Sequence, residues 1–270
     1  MTSTLTTQPI PASFFERTDS TRVVWLGMAG VLVNAHGTIL LIDPLLTAVE
    51  REGKFYCEDD LEMVVPLPIE ARKIPRVDFV LYTHADFDHF GRMTASVLAE
   101  NQACRFIAPR RVIPLLREVG VVEERITLAR EGERLQAGNV EIEITPALHD
   151  YPQEIPFERE DCCGFLLRTP DGTIWHPGDT SLIDELLEVR GVDVFFFDIF
   201  AVETHLGSEG SARLAASCGA KVMIAYHYGT LVFPPEFPIF VPEDALPYLT
   251  DVRGRYLVLN PGEPLSLPVG

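Results

Sequence analysis

Histidine and aspartate are concentrated in one short segment of the chain. His84, Asp86, Asp88 and His89 lie within six residues that follow the largely apolar run 77–82 after a single threonine. Side chains two residues apart in an extended segment point to the same side, so His84 and Asp86 can share one ion. Asp88 and His89, at the turn into a helix, can diverge towards a second ion. Mixed imidazole and carboxylate ligands suit Zn, Mn or Fe better than Ca or Mg, so the segment predicts a transition-metal site.

Three more residues of metal-ligand type follow predicted strands elsewhere in the chain. His149 ends the predicted strand that begins near residue 140, and Asp179 and His227 each come just after a predicted strand. Because α/β folds gather their sites at the carboxyl ends of strands, we expect these side chains to join the His84–His89 segment.

The elements that must position these residues alternate between strands and helices, with several strands in consecutive runs. Predicted strands cover 23–26, 30–33, 38–42, 77–82, 105–108, 140–144, 163–168, 173–175, 192–199 and 221–226. Predicted helices follow His89 to about residue 100, run over 109–119 and 208–218, and begin at a cap on Thr180. The stretch 45–76 is predicted to be irregular. This order indicates sheets covered by helices and not a simple doubly wound parallel sheet.

Length and composition restrict the class of protein. The chain has 270 residues and is 47% hydrophobic, which favours one large domain over 21–270 after a lead-in at 1–20. A net charge of −18 argues against nucleic acid or an anionic membrane surface as partner. No stretch is apolar enough to span a membrane, the first 20 residues do not resemble a secretory signal, and five cysteines form no C-x-x-C pair. We expect a reduced cytoplasmic protein that acts on a small molecule and forms a possible homo-oligomer.

The order and spacing of these motifs resemble the metallo-β-lactamase superfamily, in particular the branch around L-ascorbate-6-phosphate lactonase. The resemblance spans about residues 22–265. The segments that carry it are Val24–Gly27 with Ala29 and Gly30, Asp43 and Pro44, Thr83–His89, Trp175–Thr180 and Ala220–Thr230. It implies an α+β sandwich of four layers, αβ/βα, with a dinuclear metal site at one edge.

The same resemblance implies how the ligands divide. His84, Asp86 and His149 would hold one metal ion. Asp88, His89 and His227 would hold the other, with Asp179 bridging the two. Two dications that share a carboxylate and a water acidify that water, so that hydroxide attacks a carbonyl or phosphoryl centre near neutral pH.

We therefore predict a hydrolase that opens a lactone or a related ester or amide. Its catalytic residues would be Asp88, Asp179 and Tyr228, with Tyr228 donating to a substrate oxyanion. Asp43 would orient a ligand histidine, whereas His176 and His205 are predicted to lie behind the ligands or at the surface. Tyr151 and Phe157, in an acidic loop, could cover the mouth of the site.

Asp86 is a departure from the superfamily pattern, which usually has histidine there. A carboxylate is a harder ligand, so it favours Mn or Fe, with Zn as a third choice. Flavodiiron proteins carry a glutamate at this position, which makes a diiron redox protein one alternative. A metal-dependent phosphodiesterase is the other, although the sequence shows no basic cluster to clamp a phosphate. Met28 is a second departure, because related turns often have histidine and a thioether cannot shuttle a proton.

Overall fold

The computed structural model describes residues 5–101, 103–150, 156–233, 235 and 238–270. In chain order the strands are β1 Arg22–Gly27, β2 Gly30–Ala35, β3 Thr38–Ile42, β4 Val49–Arg51, β5 Lys54–Tyr56, β6 Phe79–Leu81, β7 Arg105–Ala108, β8 Ile126–Leu128, β9 Arg134–Ala137, β10 Val140–Thr145, β11 Gly164–Thr169, β12 Gly172–His176, β13 Val194–Asp198, β14 Val222–Tyr226, β15 Arg255–Leu257 and β16 Pro264–Ser266. The α-helices are α1 Arg92–Asn101, α2 Val112–Glu118 and α3 Gly207–Cys218. Short 3₁₀ helices cover Ala12–Phe15, Glu58–Asp60, Ala71–Lys73, Glu123–Arg125, Arg159–Asp161, Asp184–Glu188 and Pro242–Tyr248.

Fourteen of the strands form two seven-stranded sheets with the same internal pattern. The first sheet has the order β16-β1-β2-β3-β6-β7-β8 and the second the order β15-β14-β13-β12-β11-β10-β9. Each sheet has an antiparallel part and a parallel part. The parallel strands are β3, β6, β7 and β8 in the first sheet and β12, β13, β14 and β15 in the second. Each sheet therefore has an edge at which several parallel strands end together.

The first sheet is buried on both faces because its strands alternate between two apolar clusters. Val23, Trp25, Leu40 and Ile42 belong to the core shared with the second sheet. Their neighbours along β1 and β3, such as Leu41, belong to a separate cluster that includes residues of α1 and α2. This period of two is what a strand with two covered faces requires.

Helices cover the outer faces of both sheets, which confirms the predicted four-layered αβ/βα sandwich. Ala95 and Leu98 of α1 and Leu116 of α2 pack on the first sheet. Leu214 and Ala215 of α3 pack with the second. None of the helices in the described part of the chain has the length and apolar character needed to cross a lipid bilayer.

Several of the predicted elements are confirmed, and three expectations are wrong. The end of α3 at Gly219 is confirmed, since this residue adopts the left-handed conformation that follows many helices. Thr180 does not cap a helix: the turn that follows is a short 3₁₀ helix preceded by Ile183, and the Thr180 hydroxyl accepts the Leu148 N–H at 2.9 Å. His149 lies four residues beyond the end of β10 and not at the end of the strand. The stretch 45–76 is not wholly irregular, because it contains the β4–β5 hairpin.

The start of α1 is capped from a distance by a buried carboxylate. Glu58 accepts the backbone N–H groups of Met93 and Thr94 at 2.8 Å and the Thr94 hydroxyl at 2.6 Å. A Cβ at Gly91 would lie 2.8 Å from Glu58 Oε1, so the close approach requires glycine there. Helix α1 directly follows the His84–His89 segment, so this cap also fixes where that segment ends.

Replacing Glu58 by alanine is expected to lower the free energy of unfolding by about 2–3 kcal/mol, because buried donors lose a charged acceptor. Urea denaturation of the wild type and the variant measures this. Glu118→Ala is the control: it removes an exposed ion pair with Arg92 of α1 and should change the stability by less than about 1 kcal/mol. Equal losses in the two variants would contradict the cap.

Candidate metal centre

The candidate site lies where parallel strands of the two sheets end. Asp43 follows β3 and Thr83 with His84 follows β6 in the first sheet. In the second sheet Asp179 follows β12, Asp198 ends β13 and His227 follows β14. The topology therefore brings together residues that are far apart in the sequence, as sites of α/β proteins at strand ends do.

His84, Asp86 and His149 form the first group of side chains that could hold an ion. The Asp86 Oδ2 atom lies 3.5 Å from His84 Nε2 and 3.3 Å from His149 Nε2. His84 is fully buried and His149 nearly so, whereas the Asp86 side chain is partly exposed. Two imidazoles and one carboxylate facing a common point are a typical ligand set for a transition metal.

Asp88, His89 and His227 form the second group. Their ligand-type atoms lie within 4.8 Å of one another. His227 Nε2 is 3.3 Å from Asp88 Oδ2. His227 adopts a left-handed backbone conformation with φ 64°, and its N–H donates to the Met28 carbonyl at 3.0 Å. The Met28 carbonyl therefore holds the backbone of His227 in place, while the Met28 side chain packs in an apolar cluster with Cys57 and Leu231.

Asp179 lies between the two groups. Its Oδ2 atom is 3.1 Å from His89 Nε2, 3.7 Å from His227 Nε2 and 3.9 Å from His84 Nε2. The residue before it, Gly178, has φ 69° and would place a Cβ 2.6 Å from the Cys163 carbonyl oxygen. Only glycine allows the chain to approach β11 this closely and turn Asp179 into the cluster.

Buried polar atoms in the cluster lack hydrogen-bond partners, and this supports a metal ion as their partner. His84 Nε2, His89 Nε2 and Asp179 Oδ1 are all buried without a hydrogen bond. Nearly all buried polar atoms in proteins are paired, so three unpaired atoms on side chains whose ligand-type atoms lie within 4.8 Å of one another call for a common partner. With imidazole and carboxylate donors only, the residues present fit a transition-metal ion.

A network behind the ligands fixes their orientation. Asp43 Oδ2 lies 2.8 Å from His89 Nδ1, the contact that the sequence analysis predicts. The same carboxylate accepts the Thr83 N–H at 2.8 Å and the Thr83 hydroxyl at 2.6 Å. Behind the other group, Asp198 Oδ1 lies 3.5 Å from His227 Nδ1. Carboxylates in this position set the tautomer of a ligating imidazole and raise its basicity.

The carboxylates of the cluster create a strongly negative field. Burial by itself lowers the pKa of His227, but Asp179, Asp198 and Asp88 outweigh it and raise this pKa to about 10. Burial also opposes the charge on His89, yet Asp179, Asp88 and Asp43 hold its pKa well above the usual value. Burial by itself raises the pKa of Asp179, but His227, His89 and His205 lower this pKa by more. The carboxyl therefore stays ionised. The site attracts cations, either protons or metal ions.

His205 contacts one of the predicted ligands and is not a surface residue, the other place that the sequence analysis allows for it. Its Nε2 atom lies 2.9 Å from Asp179 Oδ2, and with His149 and Asp179 it forms a further group of ligand-type atoms. Its ring stacks on that of His227 with centroids 5.4 Å apart. It lies in the connection between β13 and α3, two residues before the helix begins, and its place in a connection that follows a buried strand is the signal that could have found it.

The remaining residues that the sequence analysis singled out lie around the ligand groups and not within them. Phe157 is buried with its ring 5.7 Å from that of His84 and 5.8 Å from that of His149, so it covers the first group. Tyr151 lies outside the described residues. His176 is buried behind the site and lies 2.9 Å from the Ala29 carbonyl oxygen. The Tyr228 ring stacks on Trp25 at 5.0 Å, so a role in donating to a substrate oxygen stays a prediction.

Comparison with known proteins assigns the chain to a family. A family model described as "Beta-lactamase superfamily domain" matches residues 38–228. The chain therefore belongs to the metallo-β-lactamase superfamily. A relative from Pyrobaculum arsenaticum, named a UPF0173 metal-dependent hydrolase, is 27% identical over 253 residues, covering 91% of this chain and 100% of that protein.

Solved structures share the fold. Igni18, described as a novel metallo hydrolase from Ignicoccus hospitalis, gives a TM-score of 0.70 at 20% identity and covers 93% of this chain and 100% of its own. CmlA, a diiron β-hydroxylase from Streptomyces venezuelae, gives a TM-score of 0.70 at 16% identity, with 93% of this chain and 55% of that chain covered. At these identities the likeness establishes the sandwich alone.

Proposed function

We propose that this protein is a dinuclear metal-dependent hydrolase that opens a lactone or a related ester or amide of a small molecule. The observation that carries the proposal is the position of Asp179, within 3.9 Å of histidines from both ligand groups. The relatives named metal-dependent hydrolases support the reaction type. The lactone remains our inference from the resemblance to the L-ascorbate-6-phosphate lactonase branch.

Each group of side chains has a defined part in this reaction. Divalent ions at such a site acidify a water molecule and polarise the oxygen of the bond to be cleaved. His84, Asp86 and His149 would bind one ion and Asp88, His89 and His227 the other, while Asp179 keeps both groups at a working distance. His205 Nε2, at 2.9 Å from Asp179, holds that carboxylate in its orientation. Phe157 excludes water from one side of the cluster.

A diiron redox protein is the second candidate, and Asp86 is the observation that favours it. Its carboxylate faces both histidines of the first group, so this group includes an oxygen ligand. Oxygen ligands suit Fe and Mn better than an all-histidine set does. The fold neighbour CmlA is itself a diiron enzyme.

Metal analysis combined with a substrate panel tests the proposal. Protein purified without added metal is analysed for Mn, Fe and Zn and then assayed against lactones, esters, amides and phosphodiesters. Oxygen uptake with a reductant is measured beside them. We expect two transition-metal ions per chain and chelator-sensitive hydrolysis of a lactone or ester. Oxygen uptake without hydrolysis would favour the diiron protein, and absence of metal after loading would contradict both.

Replacing Asp86 by histidine is expected to raise the affinity for Zn relative to Mn by at least about tenfold, because imidazole suits Zn and less negative charge faces the ion. Competition titrations of Mn against Zn measure the ratio. Asp86→Asn is the matched control: it keeps an oxygen ligand and removes only the charge, so it should move the ratio less. An unchanged ratio in Asp86→His would show that Asp86 does not contact the metal.

A further inference from the structure

An apolar cavity adjoins the second ligand group. It has a volume of about 300 Å³, and His227 forms part of its wall together with Phe200, Phe233 and Phe240. A second cavity of about 310 Å³ continues from it, since Tyr228, Ile239 and Phe240 line both. An apolar cavity that reaches a polar cluster is the usual form of a small-molecule site.

Aromatic rings connect the cavity to the candidate metal ligands without interruption. The Phe200 ring lies 5.1 Å from that of His227 and 5.1 Å from that of Phe240. The same His227 ring lies 3.3 Å from Asp88 Oδ2 through its Nε2 atom. A molecule whose reacting bond lies at the cluster would therefore place a neighbouring group against these rings.

The walls select against a negatively charged group. Among the described residues that line the two cavities there is no lysine or arginine, and Glu243 contributes an acidic side chain. Apolar side chains remain open to solvent at the rim, with Ile239 88% exposed and Val232 47% exposed. Large exposed apolar residues that cluster at a cavity mark a binding surface. Among the wall residues that the structure describes, a phosphate group would find no cationic side chain to pair with.

We propose that these cavities bind an uncharged apolar group of the substrate, an alkyl chain or an aryl ring attached next to the bond that is hydrolysed. This inference rests on the proposed hydrolase function and narrows its substrate class. A substrate with an uncharged apolar group differs in chemical class from the sugar phosphate that the lactonase resemblance alone would suggest. The contribution of the cavity is hydrophobic burial, so binding should grow with the apolar area of that group.

A series of γ-lactones with unbranched alkyl substituents of increasing length tests the inference. Two quantities are measured: kcat/KM for the metal-loaded enzyme, and Kd for the metal-stripped protein by ligand-observed NMR. Burial of each methylene is expected to improve both by about fourfold until the cavity is filled. Ile239→Glu, which places a charge at the rim, should flatten this dependence. Val122→Glu, at a valine that is 54% exposed and lines neither cavity, should leave it unchanged.

The outcomes separate the cavity from the reaction. Metal-dependent hydrolysis with no dependence on chain length in either measurement would overturn the cavity assignment and leave the proposed function standing. Binding that strengthens with chain length and is lost in Ile239→Glu, without any hydrolysis, would support the cavity and contradict the lactonase. A dimer that dissociates in Ile239→Glu, with flat binding curves, would show that a second copy covers the surface and would overturn the inference.

Discussion

Asp179→Ala is expected to abolish metal-dependent turnover, with a loss of more than about 100-fold. Even residues that only support a metal ligand cost 10- to 100-fold when removed, and Asp179 stands between both groups. Its Oδ2 atom is within 3.9 Å of His84, His89 and His227, and its Oδ1 atom is buried without a hydrogen bond. Turnover and the number of bound metal ions per chain are measured together, beside a thermal melt followed by circular dichroism.

A second aspartate gives a control for this prediction. Asp171 accepts hydrogen bonds from Thr21 and lies 2.6 Å from His36, and it belongs to none of the ligand groups. Asp171→Ala should therefore lower the melting temperature without changing the number of bound ions. If Asp179→Ala kept the wild-type turnover and metal content, Asp179 would not belong to the site.

Asp43→Asn is expected to weaken the binding of one of the two metal ions by about 10- to 100-fold, the usual cost of removing a carboxylate behind a ligating histidine. Asp43 is fully buried and lies 2.8 Å from His89 Nδ1. Asparagine has the same shape and tolerates the left-handed backbone at this position, where φ is 43°, so the fold should persist. The amide lacks the charge that stabilises the imidazole as a metal ligand.

Metal titrations of the wild type and Asp43→Asn give the two affinities separately. The affinity of the group that contains His89 should fall, while that of His84, Asp86 and His149 should change little. Asp78→Asn is the matched control. Asp78 accepts the N–H of Ile39 at 2.8 Å, and Ile39 lies in β3, the strand that Asp43 follows, but Asp78 belongs to none of the ligand groups. Equal weakening of both ions in Asp43→Asn would assign its effect to the fold instead of to His89.

The sequence by itself determined the features that depend on near neighbours. Short apolar runs separated by glycine-containing turns predicted β1, β2 and β3, because both signals are local properties of the chain. The positions of the ligand-type residues from His84 to His227 after predicted strands indicated that they meet at one site, whereas their full division into two groups came from the resemblance to the superfamily. Gly219 predicted the end of α3, because the left-handed turn after a helix favours glycine.

Short edge strands could not be predicted from local patterns. β8, β15 and β16 are each three residues long, too short for a periodic signal, and pairing with a neighbouring strand defines them. Thr180 is a second case in which a local pattern failed to predict a long-range contact. Its sequence context is that of a helix cap, yet its hydroxyl accepts the N–H of Leu148, 32 residues away in the chain.

The tertiary structure decided the distances between the polar residues of the site and added contacts that the sequence analysis does not contain. His149 and Asp86 are 63 residues apart, and His227 and Asp88 are 139 apart. The contact of His205 with Asp179 and that of Asp198 with His227 arise because parallel strands of the second sheet end at one edge. No rule of local spacing contains this information, since the register and order of the strands are set by long-range pairing and by burial of the shared core.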